Sequence, residues 1–166
     1  MLQWLINFFL FASFLFGQNI TYTGLDLIKY YESFRGKAYY DVVGVLTIGY
    51  GSTGNDVIKG MIINREYAEK LLRKDVTRFE SHIKRSIYRI ILWNEFDALT
   101  SFTFNVGYRI KGQLQIFVNN GNINGVVSKL MLYNKAKVNG IYIILKGLTR
   151  RRTSETILYK DAVLKF

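Results

Sequence analysis

The chain contains no cysteine, no proline and one histidine, His82, in 166 residues. Without thiols there are no disulfide frameworks, thiolate zinc sites, iron–sulfur clusters or cysteine nucleophiles. One histidine excludes poly-histidine metal sites and argues against a serine–histidine–aspartate triad. Acidic residues are scarce, 12 against 23 Lys and Arg, which leaves a formal net charge of +11. Average usage of about 5% would have supplied roughly eight prolines. The first 17 residues lack any charged side chain, so the whole excess sits on residues 18–166. A body of that charge is drawn to anionic polymers such as nucleic acid, lipid head groups or cell wall.

What is present argues for a packed domain. Hydrophobic residues make up 49% and aromatic ones 16% of the chain, well outside the composition of disordered proteins. The length suits one domain of about 150 residues. Residues 1–16, MLQWLINFFLFASFLF, form an apolar run that as a helix would reach ~24 Å, short of the ~30 Å hydrocarbon core. It is long enough for the apolar region of a secretory signal. We expect residues 1–17 to be a signal or membrane anchor and residues 18–166 to be the functional domain.

Beyond a polar link, Gln18 to Thr23, a helix is expected from Gly24 to about Phe34. Residues 38–51, AYYDVVGVLTIGYG, read as a β-hairpin turning near Val42–Gly44. Asn64 is an N-cap candidate with Glu66 in the first turn. Ala68, Leu71, Leu72, Val76, Phe79 and Ile83 then mark a long amphipathic helix. The stretch from Trp93 to Val106 is apolar on most sides, the pattern of a buried helix. Further helices are expected to open at Asn124–Gly125 and near Thr149. A hairpin lobe joined to a mainly helical lobe is an α+β arrangement.

Glu32 falls late in the first helix, Asp41 ends the first strand and Thr47 lies on the second. A carboxylic acid, a carboxylate and a hydroxyl at one cleft are what an inverting glycosidase uses, with the carboxyls roughly 6.5–9.5 Å apart. Spacing by itself leaves the ordinary alternative open, a solvated Glu and a turn-capping Asp. A turn separates Asp41 from Thr47, so strand parity does not decide whether they share a face.

Glu32, followed by AYYDVVGVLTIGYGST, is similar to the catalytic region of the phage-type lysozymes, glycoside hydrolase family 24. The spacing Glu, eight residues, Asp, five residues, Thr and then Ile-Gly-Tyr-Gly is kept without a gap. The likeness continues through residues 64–72, NREYAEKLL, through Phe104-Asn-Val-Gly107, and into Gly147-Leu148, the Arg-rich turn and Glu155. It implies a lysozyme-like α+β fold with a cleft between the lobes. It also implies a muramidase acting on peptidoglycan glycan strands at the β-1,4 bond between N-acetylmuramic acid and N-acetylglucosamine. Glu32 would be the general acid, Asp41 the ionised partner and Thr47 the holder of the attacking water. Phe104 and Asn105 would line the substrate cleft, and Arg151 or Arg152 would reach the catalytic Glu. The resemblance implies no metal or organic cofactor, no nucleic-acid partner, a monomer, and export to the envelope, with residues 1–17 associating with the inner membrane if retained. The reading from a different class is a cationic wall-binding or membrane-active protein without catalysis.

Departures from the family pattern are also legible. Ser52 stands where relatives usually carry His, leaving a Ser52–Asp75 hydrogen bond in place of an ion pair. Gly112–Gln113 replaces a Ser-Thr pair. Family prolines are missing at Val42-Val43 and at Lys146, where each loss typically costs ~0.4–1 kcal/mol at a compatible site.

Overall fold

The computed structural model describes residues 18–161 except Val42 and Asn139. The expected signal or anchor, residues 1–17, lies outside them. Helix α1 (Tyr22–Glu32) leads into a three-stranded antiparallel sheet of β1 (Arg35–Tyr40), β2 (Leu46–Gly49) and β3 (Ser52–Thr53), in that order. Then come α2 (Arg65–Ser86), α3 (Trp93–Val106), α4 (Gly112–Asn119) and α5 (Ile123–Met131). A second hairpin, β4 (Lys135–Val138) and β5 (Ile141–Ile144), precedes the last helix, α6 (Lys146–Lys160). Among the described residues no helix is long and apolar enough to cross a membrane.

Two apolar clusters form the core, and α2 belongs to both. Its first half gives Ala68, Leu72 and Val76 to a cluster with Ile20, Leu25, Ile28 and Tyr50. Its second half gives Ile83 to a larger cluster with Phe96, Leu99, Phe102, Ile110, Leu114, Val126, Leu130 and Leu158. One amphipathic stripe, capped by the Asn64 side chain accepting from the Tyr67 N–H at 2.8 Å, thus joins a sheet lobe to a helical lobe. Helix α3 is the buried centre, as its sequence predicts. Its polar positions from Asn94 to Thr103 are buried as well: Ser101 donates to Glu155, and Asn94 donates to the carbonyls of Leu158 and Tyr159.

The stretch before α1 is fixed into the domain rather than forming a loose link. Ile20 is in the core, and its N–H donates to buried Glu80 at 2.8 Å. The Thr21 N–H donates to Asp97 Oδ1 at 2.8 Å, and the Thr21 hydroxyl donates to Asp97 Oδ2. Burial pushes the Asp97 carboxyl up, and the Thr21 hydrogen bonds oppose that shift. Gly24 permits this approach: a Cβ there would stand 2.6 Å from Ile20 and 2.7 Å from Asp97.

Helix boundaries differ from the sequence expectation in four places, the first being α1, which opens at Tyr22, two residues before Gly24, with Thr21 as its N-cap. Helix α1 stops at Glu32, two residues before Phe34, because Ser33 takes φ 59° and ψ 148°. Helix α5 opens at Ile123, one residue early, with the Asn122 side chain accepting from the Gly125 N–H at 2.9 Å. Helix α6 opens at Lys146, three residues before Thr149.

Candidate active site

The C-terminal end of α1 carries Glu32, which is 25% exposed and paired with the nearly buried Arg151 of α6. Arg151 Nη1 donates to Glu32 Oε1 at 2.5 Å, Nε to Glu155 Oε1 at 3.2 Å and Nη2 to the Ser101 carbonyl at 3.4 Å. Three nitrogens of one planar fork therefore tie α1, α3 and α6 together, a task a lysine ammonium is not shaped for. The neighbouring Tyr31 hydroxyl lies 2.8 Å from Ser154 Oγ, a second tie between α1 and α6. Ser33 immediately afterwards sits in a region of backbone space that is essentially glycine's own, at a cost of about 1–3 kcal/mol. The carboxylate is thus held from α6 and from its own helix terminus.

Beneath Arg151 lies a buried charge cluster. Glu155 is fully buried, and Arg152 Nε stands 2.8 Å from its Oε2. Burial pushes the Glu155 carboxyl up, while the charges of Arg152 and Arg151 oppose it. Burial likewise pushes the Arg152 guanidinium down, against the attraction of Glu155. Arg152 Nη2 also donates to Asn105 Oδ1 at 2.9 Å, which orients that exposed side chain.

On the sheet side, Asp41 follows β1 and organises the turn. Its Oδ1 accepts from the N–H groups of Val43 at 2.9 Å and Val45 at 2.8 Å, a local side-chain cap of the kind Asp makes in turns. Its own N–H donates to the Val45 carbonyl at 2.9 Å. Gly44, at φ 82°, supplies the left-handed residue of the turn. The ladder pairs Tyr39 with Thr47 and Tyr40 with Leu46. Because paired residues share a face and alternate residues return to it, Asp41 and Thr47 stand on the same face. Register settles what the sequence spacing left open. Thr47 is 4% exposed, and its hydroxyl donates to the Val45 carbonyl at 3.0 Å, leaving its lone pairs as acceptors.

Phe104 is half-buried at the end of α3, with its ring 5.4 Å from that of Phe79, so packing accounts for much of it. Ser52 Oγ donates to Asp75 Oδ2 at 2.6 Å, the hydrogen bond expected in place of an ion pair. Gln113, near the start of α4, accepts from Lys129 Nζ at 3.1 Å, and the preceding Lys111 gives that helix no side-chain cap. Among the described residues no group of three or more His, Asp or Glu is placed to hold a metal ion.

Of the two arginines expected near Glu32, the structure selects Arg151, and Arg152 braces Asn105 instead. The roles of Ser101 and of the Thr21, Glu80 and Asp97 contacts carry no local sequence signal, because each joins residues 50 or more positions apart.

Two lobes bridged by a long helix, with a clamped carboxylate where α1 meets α6, define a lysozyme-like protein. The phage lysozyme family model matches residues 29–155. The chain belongs to that family. It is 38% identical over 146 residues to the endolysin of Acyrthosiphon pisum secondary endosymbiont phage 1, covering 87% of this chain and 99% of that one. It is 36% identical over 145 residues to the endolysin of Bacillus phage B103, covering 85% of this chain but only 54% of that longer protein. Its fold matches the endolysin of Escherichia coli O157:H7 phage FAHEc1 with a TM-score of 0.82, at 35% identity, covering 89% of this chain and 97% of that structure.

Proposed function

We propose that this peptidoglycan-degrading lysozyme cuts the β-1,4 bond between N-acetylmuramic acid and N-acetylglucosamine with Glu32 as the acid. The observation that carries the reading is the Arg151–Glu32 pair, which fixes a partly exposed carboxyl at the end of α1. Protonated Glu32 delivers its proton to the glycosidic oxygen as the bond to the anomeric carbon breaks. Asp41 stabilises the positive charge that develops on the sugar. Its Oδ1 is already engaged by two backbone donors, which leaves Oδ2 to face the reaction and take the water's proton. The Thr47 hydroxyl, its own proton committed to Val45, accepts a hydrogen bond from that water and leaves the water's lone pair free to attack. Attack from the face opposite the leaving group inverts the anomeric centre. Phe104 and the braced Asn105 line the glycan path.

The substrate is the cell wall of the phage host, and lysis is the consequence of its hydrolysis. We further propose that residues 1–17 direct or tether the domain, residues 18–166, to the envelope. Glu32→Gln keeps the shape and an acceptor for Arg151 but cannot deliver the proton. Its expected phenotype is loss of new reducing ends from purified walls by a chain that still unfolds cooperatively, and undiminished reducing-end release would refute the assignment.

A further inference from the structure

The β4–β5 hairpin supplies none of the proposed reacting groups, yet it exposes a dense group of large apolar side chains. Its register pairs Lys135 with Ile144, Ala136 with Ile143, Lys137 with Tyr142 and Val138 with Ile141. Paired residues share a face, so one face consists of Ala136, Val138, Ile141 and Ile143, with no polar side chain. The other carries Lys135, Lys137, Tyr142 and Ile144. All of β5 is exposed, with Ile141 at 68%, Tyr142 at 71% and Ile144 at 63%. The base of the ribbon is firm: the Leu145 N–H donates to the Asn134 carbonyl at 2.9 Å, and the Tyr133 ring packs edge-on against Phe102 at 5.1 Å. A two-stranded ribbon with a largely exposed apolar face is a poor solution in water.

We propose that this hairpin is a docking surface for an anionic lipid bilayer, with the apolar face entering the interface and the lysines meeting phosphate head groups. Charge supplies the argument for that occupant. Between Lys129 and Arg150 the chain has Lys129, Lys135, Lys137, Lys146 and Arg150 and no acidic residue. Lys135, Lys137 and Lys146 are exposed and have no ion pair among the described residues. Cations around an apolar wedge, with an exposed tyrosine beside it, are the composition that suits a membrane interface. A second copy of the chain would set these cations against each other. A glycan strand needs hydrogen-bonding side chains, which the Ala136–Val138–Ile141–Ile143 face lacks.

The absence of native cysteine permits a direct test. Ile141→Cys in the full chain gives one thiol for an environment-sensitive fluorophore, and Lys59→Cys, in the exposed loop after β3, gives the control position. With vesicles containing phosphatidylglycerol, the label at position 141 should shift to the blue and the label at 59 should not. Pure phosphatidylcholine vesicles should give little shift. With the label moved to Tyr142→Cys, Ile141→Ser with Ile143→Ser should reduce the phosphatidylglycerol-dependent blue shift several-fold, a local readout that tethering through residues 1–17 does not supply, while reducing-end release from soluble wall fragments stays unchanged. Equal shifts at both positions, or none at 141, overturn the proposal. So does a shift produced by glycan fragments instead of lipid. A lipid-independent blue emission also overturns it: if it grows with protein concentration a second copy covers the face, and if it does not another part of the chain does.

Discussion

At the scale of single residues, Arg151 is the side chain on which most depends. Each of three nitrogens serves a different acceptor, so Arg151→Lys keeps the charge and loses the fork. Buried charges stripped of partners cost about 3–5 kcal/mol. Since Glu155 keeps Arg152 in this variant, the expected loss of unfolding free energy lies towards the low end of that range. If the fork positions Glu32, kcat should fall well beyond any change in KM. A lysine variant with normal kcat would show that Glu32 holds its place without it. His82 makes a separate prediction about pH. Burial holds its imidazole below the ordinary value of 6.5, and the charges of Arg85 and Lys111 add to the effect. Its ring stands edge-on to Tyr108 at 5.2 Å, and Nε2 is buried without a hydrogen-bond partner. The unfolded chain therefore takes up the proton first as pH falls, and stability declines from about 6.5 down to the lower folded-state pKa. Urea unfolding of His82→Gln should show a flatter pH dependence across that window. An unchanged slope would mean that other groups cause the decline.

At the scale of elements, the absence of proline becomes a constructive statement at the start of α6. Lys146 is the first residue of that helix, a position where proline's fixed φ is suitable and its missing N–H is not needed. Leu145 before it has φ −102° and ψ 123°, within the extended region a pre-proline residue requires. Lys146→Pro should therefore stabilise the chain by about 0.4–1 kcal/mol through the unfolded state, read as a higher urea midpoint with an unchanged slope. A lower midpoint would mean that the Lys146 side chain contributes more than its backbone does. The same elements show what was readable in advance. Helices α2 and α3 were legible because long apolar periodicity dominates local effects, and Glu32, Asp41 and Thr47 were placed by an ungapped motif. The β4–β5 hairpin and α4 were not anticipated. For the hairpin a signal existed: Asn139-Gly140 between two four-residue runs is a strong turn sequence, although Lys-Ala-Lys-Val is a weak strand by composition. Helix α4 starts without a side-chain cap and has eight residues, so neither cap nor period marks it. The Arg151 fork joins α1 to α6 across 119 positions, a separation that only folding reveals.

At the scale of the whole molecule, attraction to the wall and bond cleavage should be separable by salt, because exposed lysines and the enclosed Arg151–Glu32 pair are screened differently. Residues 129–166 hold nine Lys or Arg and two acids, so they supply +7 of the total +11. Both of those acids lie at or beyond Glu155, and Glu155 itself is enclosed with two arginines. The Arg151–Glu32 and Arg152–Glu155 pairs are wholly or largely out of solvent and only weakly screened. The exposed lysines act over a Debye length of about 10 Å at 0.1 M salt, which falls to about 3 Å at 1 M. Attraction to an anionic wall should therefore collapse with ionic strength while the reacting groups remain in place. Clearing of intact walls should slow several-fold between about 0.05 and about 0.3 M NaCl. Cleavage of a short soluble wall glycan of alternating N-acetylmuramic acid and N-acetylglucosamine by the same preparation should change by less than about twofold. Parallel decline of both rates would mean that salt acts on the cleft itself, and the cationic last quarter would then have no separate part in reaching the substrate.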